Sequence, residues 1–440
     1  MSSVFAIING TVIDSSKEDK LDVLISDGKI VEVSPKIDVP ANAYVIDAQS
    51  LHVSPGFVDI QVHLREPGQE QKEDIESGSR AAALGGMTAV QCMPNTIPCV
   101  DNVDTFLEVK NRSKSALCDV FVSAAITKNR ASEELAPLVD LYNAGARTFT
   151  DDGDCVKSAR LMREAIELLS GFDNAILAQH CEDHSLVHDG VIDEGIVSKE
   201  LNLKGRHRVA EEIIVARDIA LFNAFASKSL RYHVLHLSTK EALALIEQAK
   251  NLGLNISTEV APQHFSLTSE LLRSGNANFK MNPPLREEQD IKAMQQGLAA
   301  GVIDAIATDH APHEKENKDL GIELAPPGML GVETAFSASY THLVKTNVLT
   351  LAQLIKVMSI NPSKIIGADR HENGGHGNDI EPGNFANITI FDTNAQWEVD
   401  ANELHSKSVN SPYDTHVLTG KVLYTFLRGE MTCEKGNPTR

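Results

Sequence analysis

Several features are missing from this sequence, and each absence removes a class of function. No stretch approaches the roughly 20 consecutive apolar residues of a membrane span, so a membrane-embedded role is not expected. No Lys/Arg-rich run offsets the formal charge of −21, from 61 acidic against 40 basic residues. Such a surface repels nucleic acid and anionic membranes, and an anionic substrate would need local cations. The six cysteines (92, 99, 118, 155, 181 and 433) form no CxxC and no framework spacing. In a chain of this size that points to reduced, mostly buried thiols and a cytoplasmic setting. The opening "MSSVFAIINGTVIDSS" has no basic segment followed by a long apolar run, so no signal peptide is expected. Low-complexity segments and solenoid-type periods are also absent.

What remains is 440 residues, 42% hydrophobic and 23% charged, enough for one large domain and a smaller one. The two ends share a texture of short alternating strands. Near the start these are "FAIINGTVID", "LDVLISDGKIVEVSP" and "AYVIDAQS"; near the end, "ANITIFD", "QWEVD" and "VLTGKVLYTFLRGE". Asp27-Gly28 between two β-rich runs is a hairpin signal. Residues 1–54 and 376–440 are therefore expected to pair into one small composite β-sandwich domain.

Residues 55–375 read differently. Eight apolar strand-like runs, "GFVDIQVH", "MTAVQCMPN", "CDVFVSAAI", "ARTFTDD", "NAILAQH", "RYHVLHLS", "NISTEV" and "VIDAIATDH", alternate with amphipathic stretches such as "TKEALALIEQAKNLG". The same alternation permits an open doubly wound sheet. Eight units, with polar residues gathered at the strand ends, favour an α/β fold of the (β/α)8 TIM-barrel type, whose reactive groups lie at the C-terminal ends of the strands. Five of those ends carry metal-binding residue types: Gln61 and His63; Asp151-Asp152-Gly153; His180; His233 and His236; and Asp309. A lone strand-end His is more often a hydrogen-bonded core residue than a ligand. Five converging ends are hard to obtain by accident. The His/Asp mixture suits a divalent ion, with Zn²⁺ the first choice.

"PGFVDIQVHLREPG", "GGMTAVQCMPNTIP", "FTDDG", "AQHCED", "YHVLHLST", "KMNPPLR" and "IATDHAPHEKE" stand in series along almost the whole chain. In that order they resemble the motifs of the dihydroorotases of the long bacterial type, in the amidohydrolase superfamily. The resemblance implies a zinc-dependent cyclic amidohydrolase that interconverts dihydroorotate and N-carbamoyl-aspartate in pyrimidine biosynthesis. Two adjacent zinc ions would share a bridging carboxylate, here Asp152, with the adjacent Asp151 leaving the register open. His180 and His236 would hold one ion; His63 and Asp309 would hold the other, along with the residue at 61. Asp309 would be the acid/base. His233, three positions from His236, would face the other way on a strand and is read as structural.

Arg65, two positions past His63, can grip the substrate carboxylate bidentately; a salt bridge to Glu66 or another rim acid is the plainer reading. The resemblance adds Asn95, Asn282, His313, Pro327 and Gly328 as substrate-binding positions. For Asn95 and Asn282 a turn or cap role beside proline competes, and His313 could be solvent-exposed. The polar, then Gly/Pro-rich segment "PHEKENKDLGIELAPPGMLG" could close over the ring. Hydantoin- and dihydropyrimidine-opening relatives bridge their metals with a carbamylated lysine, where this chain has Asp. By resemblance a homodimer is expected, and a complex with aspartate transcarbamoylase is conceivable.

Three positions depart from the family pattern. Gln61 replaces the first His of His-x-His, and a neutral amide oxygen is a poorer zinc donor than imidazole. Gln263 stands beside His264 in a segment usually richer in His. Pro327 stands where an aromatic is expected. At position 61 the amide could coordinate weakly, water could fill the gap, or one metal could serve on Asp152, His180 and His236. Alternatively catalysis is gone, leaving a scaffold for aspartate transcarbamoylase. Because the other ligands persist, an active enzyme with a weakened first metal site is the preferred reading.

Overall fold

A computed structural model describes residues 4–371 and 374–440. The N-terminal region supplies β1 (Phe5–Ile13), β2 (Glu18–Ser26), β3 (Lys29–Ser34), β4 (Tyr44–Asp47) and β5 (His52–Pro55). The barrel follows with β6 (Phe57–Val62), β7 (Met87–Cys92), β8 (Asp119–Val122), β9 (Thr148–Phe149) and β10 (Ile176–Gln179). A two-stranded excursion, β11 (Ile192–Asp193) and β12 (Gly205–Arg206), precedes β13 (Arg231–Val234), β14 (Ile256–Val260) and β15 (Ala305–Ile306). The chain ends in β16 (Ile388–Glu398), β17 (Val417–Leu427), β18 (Glu430–Glu434) and β19 (Asn437–Pro438).

All eight runs read as barrel strands are strands, and every ladder among them is parallel. The ladders form two arcs, β6-β7-β8 and β9-β10-β13-β14-β15. Single parallel bridges close the ring, Ala124 to Phe149 on one side and Val62 to His310 on the other. Asp59 strengthens the second seam: it accepts hydrogen bonds from the Thr308 amide at 3.1 Å and the Thr308 hydroxyl at 2.6 Å. The amphipathic stretch quoted above forms helix Lys240–Asn251, and a like helix spans Ile75–Leu84; Thr239 and Asp74 cap them with side chains that accept backbone N–H bonds. Their apolar faces join one large core around the barrel that includes Phe57, Phe149, Val260, Met294 and Phe336.

The two ends of the chain do form one β domain. Eight strands follow one hydrogen-bonded path, β19-β18-β17-β16-β5-β1-β2-β3, and β4, attached to β1, makes the ninth of the sheet. Antiparallel pairing of β5 with β16, Ile388 opposite Pro55, joins N-terminal to C-terminal segments. Ile7, Val23 and Val53 share a core with Ile388, Ile390 and Phe426. Because β5 runs into β6 through Gly56, the sheet is fixed directly to the strand that leads to His63.

Candidate metal centre

The strand-end side chains converge. Asp152, His180 and His236 place ligand-type atoms within 4.8 Å of one another, and so do His63, Asp152 and Asp309. Asp152 belongs to both groups, the geometry a bridging carboxylate needs. Its neighbour Asp151 is committed elsewhere: Oδ1 accepts from the amides of Ile126 at 2.8 Å and Thr127 at 2.9 Å, and Oδ2 from the Thr127 hydroxyl.

Asn95 orients one imidazole. His63 Nδ1 lies 2.9 Å from Asn95 Oδ1, so it carries the proton, and Nε2 faces Asp309 at 2.9 Å and Asp152 at 3.4 Å. His180 Nδ1 and His236 Nε2 lie 2.8 Å apart, 3.6 and 3.3 Å from Asp152 Oδ1. Burial opposes ionisation of Asp152, but hydrogen bonds from His180 and His236 and the charge of His63 hold its carboxyl well below the ordinary range. Burial disfavours charge on His180, yet Asp152 and Glu182 raise its pKa to about 10.

These residues fit a divalent cation. Asp152 Oδ2 is a buried acceptor with no donor among the described residues, and an oxygen without a partner is costly there unless a cation or donor faces it. Gln61 is fully buried and gives its Nε2 proton to Asp152 Oδ1 at 3.1 Å. It therefore braces the shared carboxylate from behind and does not line the cavity. The second group is left with two imidazole or carboxylate donors besides the bridge.

A cavity of about 230 Å³ opens above the ligands. His63, Asp152, His180, His236 and Asp309 line it on one side, and Arg65, Asn95, Asn282, His313, Pro327 and Gly328 on the other. These ligand and substrate-binding positions thus reach one pocket, and Gln61 does not. Arg65 is buried and has no carboxylate partner within ion-pair distance among the described residues; Nε donates to the Pro312 carbonyl at 3.3 Å. Burial lowers its pKa to about 10, opposed by the charges of Asp309 and Asp152, so it stays cationic at neutral pH. His313 Nε2 sits 2.9 Å from the Pro327 carbonyl oxygen and must donate to it. Arg65 Nη2, 3.4 Å from that same nitrogen, finds no acceptor there and remains available to the cavity. Three residues of the site, Arg65, His236 and Asp309, are non-glycines at positive φ (63°, 28° and 49°), backbone strain of the kind held at working sites.

Some readings are refined. Asn95 orients His63 as well as lining the cavity. His233 is structural: Nδ1 meets Ser257 Oγ at 2.7 Å and Nε2 meets Glu259 at 3.1 Å. His264 and Gln263 hydrogen-bond to the carbonyl oxygens of Pro283 and Thr308, outside the cavity. Sequence reasoning missed Glu182 and Arg206. Arg206 Nη1 donates to Glu182 at 2.6 Å and to Asn282 Oδ1 at 2.7 Å, while Asn282 Nδ2 donates to Glu182 at 2.9 Å and sits 3.3 Å from His180. Glu182, two positions past a ligand in "QHCED", was the available signal; Arg206 had none.

Known proteins give the same picture. Residues 51–242 match the dihydro-orotase-like family model. The dihydroorotase of Citrifermentans bemidjiense is 43% identical over 97% of this chain and 98% of its own length. That of Aquifex aeolicus is 43% identical over 96% and 97%. Among solved structures, L-hydantoinase from Arthrobacter aurescens superposes with a TM-score of 0.88 at 25% identity, covering 100% of this chain and 98% of that one. Dihydropyrimidinase from Brevibacillus agri shares the fold, with a TM-score of 0.85 at 22% identity over 99% and 96%.

Proposed function

The chain belongs to the dihydroorotase family, and from that premise we propose that it opens and closes the dihydroorotate ring at this site. One observation carries the reading: a carboxylate shared by two ligand groups faces, across a small cavity, an arginine with no carboxylate of its own. Arg65 holds the ring carboxylate and sets which end of the substrate meets the ligands. A dihydropyrimidine or simple hydantoin lacks that carboxylate, so Arg65 together with Asp152 favours dihydroorotate over the substrates named for the structural neighbours.

Divalent metal, with zinc the first choice, would lower the pKa of water toward neutrality and polarise the amide carbonyl. His63, Asp152, His180, His236 and Asp309 would hold it. Asp309 takes the proton of the attacking water on its carboxylate and delivers it to the ring nitrogen as the C–N bond breaks, giving N-carbamoyl-aspartate. In the biosynthetic direction Asp309 takes the proton from the ureido nitrogen as the ring C–N bond forms and gives it to the departing oxygen, which leaves as water. Asn95 keeps His63 in one tautomer, and the Glu182–Arg206 pair keeps Asn282 directed into the cavity.

Gln61 makes the two metal positions unequal. The Asp152–His180–His236 position keeps its full set; the His63–Asp309 position holds its ion more weakly. Zinc content after mild dialysis, paired with a dihydroorotate assay, tests the reading. We expect about one retained ion per chain and clear turnover. Two tightly held ions would contradict the weak position. No turnover with metal supplied would favour the other reading, a non-catalytic scaffold for aspartate transcarbamoylase. The homodimer is carried by the resemblance, and a cytoplasmic setting by the reduced, buried cysteines.

A further inference from the structure

The segment after the eighth strand folds as short helices Lys315–Lys318 and Gly321–Leu324, then returns to the cavity at Pro327 and Gly328. Its most unusual member is Lys318. The side chain is buried, 4% exposed, and its Nζ makes no ion pair among the described residues. Instead it donates to three carbonyl oxygens: Gly328 at 3.0 Å, Pro326 at 3.1 Å and Lys280 at 3.3 Å. Two of those carbonyls flank Pro327, and the third lies two residues before Asn282. A single ammonium therefore joins the segments that present Pro327, Gly328 and Asn282 to the substrate. Gly328 is held from two further directions, its amide by the Lys280 carbonyl at 2.9 Å and its carbonyl by Asn410 Nδ2 at 3.1 Å.

Burying an ammonium without a counter-ion is unfavourable, so this placement calls for a compensating role. The surroundings supply no local carboxylate. Burial, and the like charge of Lys280, lower the Lys318 pKa to about 7, so an anion in the cavity would favour its charged form; Lys280 is itself a buried lysine whose Nζ donates to the Glu323 carbonyl at 3.2 Å. Arg65, on the same side of the cavity, also lacks a carboxylate partner. Lys318 and Arg65 both act on His313 in the cavity wall, so each adds positive potential beside the pocket of a chain whose net charge is −21, and an incoming anion would be drawn to it.

We propose that Lys318 is a positioning residue for substrate binding: it clamps the Pro326–Gly328 turn against the Asn282 segment and adds to the positive field at the carboxylate end of the cavity. It touches no reacting atom, so its effect falls on KM and not on kcat. The segment is on this view a pinned wall of the pocket and not a swinging lid. The KM effect rests on the dihydroorotase reading; the clamp itself does not.

Lys318→Met should raise KM for dihydroorotate about tenfold or more while kcat stays within about threefold, and Lys318→Arg, which keeps charge and donors, should recover most of the loss. Amide hydrogen exchange at residues 326–330 should quicken in Lys318→Met and not elsewhere in the barrel. In the native protein, an amine-acylating reagent should label exposed Lys315 and spare Lys318. Unchanged KM and unchanged exchange at 326–330 would overturn the proposal. Labelling of native Lys318 as fast as Lys315 would overturn it as well, even if the variants failed to fold. Wild-type protein without dihydroorotate turnover would sink the dihydroorotase reading alone, because exchange and labelling still judge the clamp.

Discussion

Asp151 and Asp152 have the same side chain and adjacent positions, yet different jobs, and substitution should separate them. Asp151→Asn removes half of an acceptor for the Ile126 and Thr127 amides; stability should fall by about 1–3 kcal/mol while metal content holds. Asp152→Asn removes the ligand common to both groups; metal content should collapse and turnover fall at least about a hundredfold with the fold retained. Metal analysis with thermal melts distinguishes the two outcomes, and metal loss in Asp151→Asn would reverse the assignment. Gln61→His should raise the retained metal from about one to about two ions per chain and increase the rate. No gain in metal would mean that the amide, held on Asp152, is not what limits the second position. The sequence left the aspartate register open because both residues follow a strand of only two residues, too short for alternation to choose between them.

At the scale of elements, the strands were legible because each is an apolar run that stops at a polar end, and a barrel requires that stop on one side. His63, His180 and Asp309 announced themselves in this way. The connections were less legible. Strands Ile192–Asp193 and Gly205–Arg206 pair through two residues each, below any periodic signal, so Arg206 could not be placed beside Asn282 in advance. Residues brought together by loops carry no spacing to read. The returning loop also explains Gly328. Its φ is +144°, and an added Cβ would lie 2.8 Å from the His313 ring and 2.9 Å from the Ala311 carbonyl oxygen. Gly328→Ala should therefore displace the turn, raising KM about tenfold or more while the melting temperature moves little. Steady-state kinetics beside a melt would show it, and a wild-type KM would mean the turn yields without consequence.

For the whole molecule, the C-terminal region is keyed to the barrel through a buried imidazole. His376 Nδ1 meets Thr88 Oγ1 at 3.0 Å and Nε2 meets Asp119 at 2.9 Å, while Arg428 of β17 and its turn also binds Asp119. Burial lowers the His376 pKa below its ordinary 6.5 despite the pull of Asp119. The unfolded chain thus binds a proton below pH 6.5 that the native one refuses. Stability is fully present above 6.5 and is lost as pH falls toward the native pKa, at up to about 1.4 kcal/mol per pH unit. Burial opposes ionisation of Asp119, but His376 and Arg428 hold its carboxyl below the ordinary range, so its contribution is also lost in acid, at lower pH. His376→Gln should flatten the decline in melting temperature between about pH 6.5 and 5 relative to wild type. Equal slopes would show that other groups govern acid sensitivity.

The pairing of β5 with β16 has a consequence for biosynthesis. During translation every candidate ligand leaves the ribosome before the strand that completes the sheet leading into β6, and before Asn410, whose side chain secures Ala311, Gly328 and the His313 amide. A nascent chain released at residue 375 would own all five ligands and still lack the buttress behind them. Such a fragment should be a poor catalyst, and adding residues 376–440 in trans should restore function; a competent fragment would show that the barrel matures without its last-made partner.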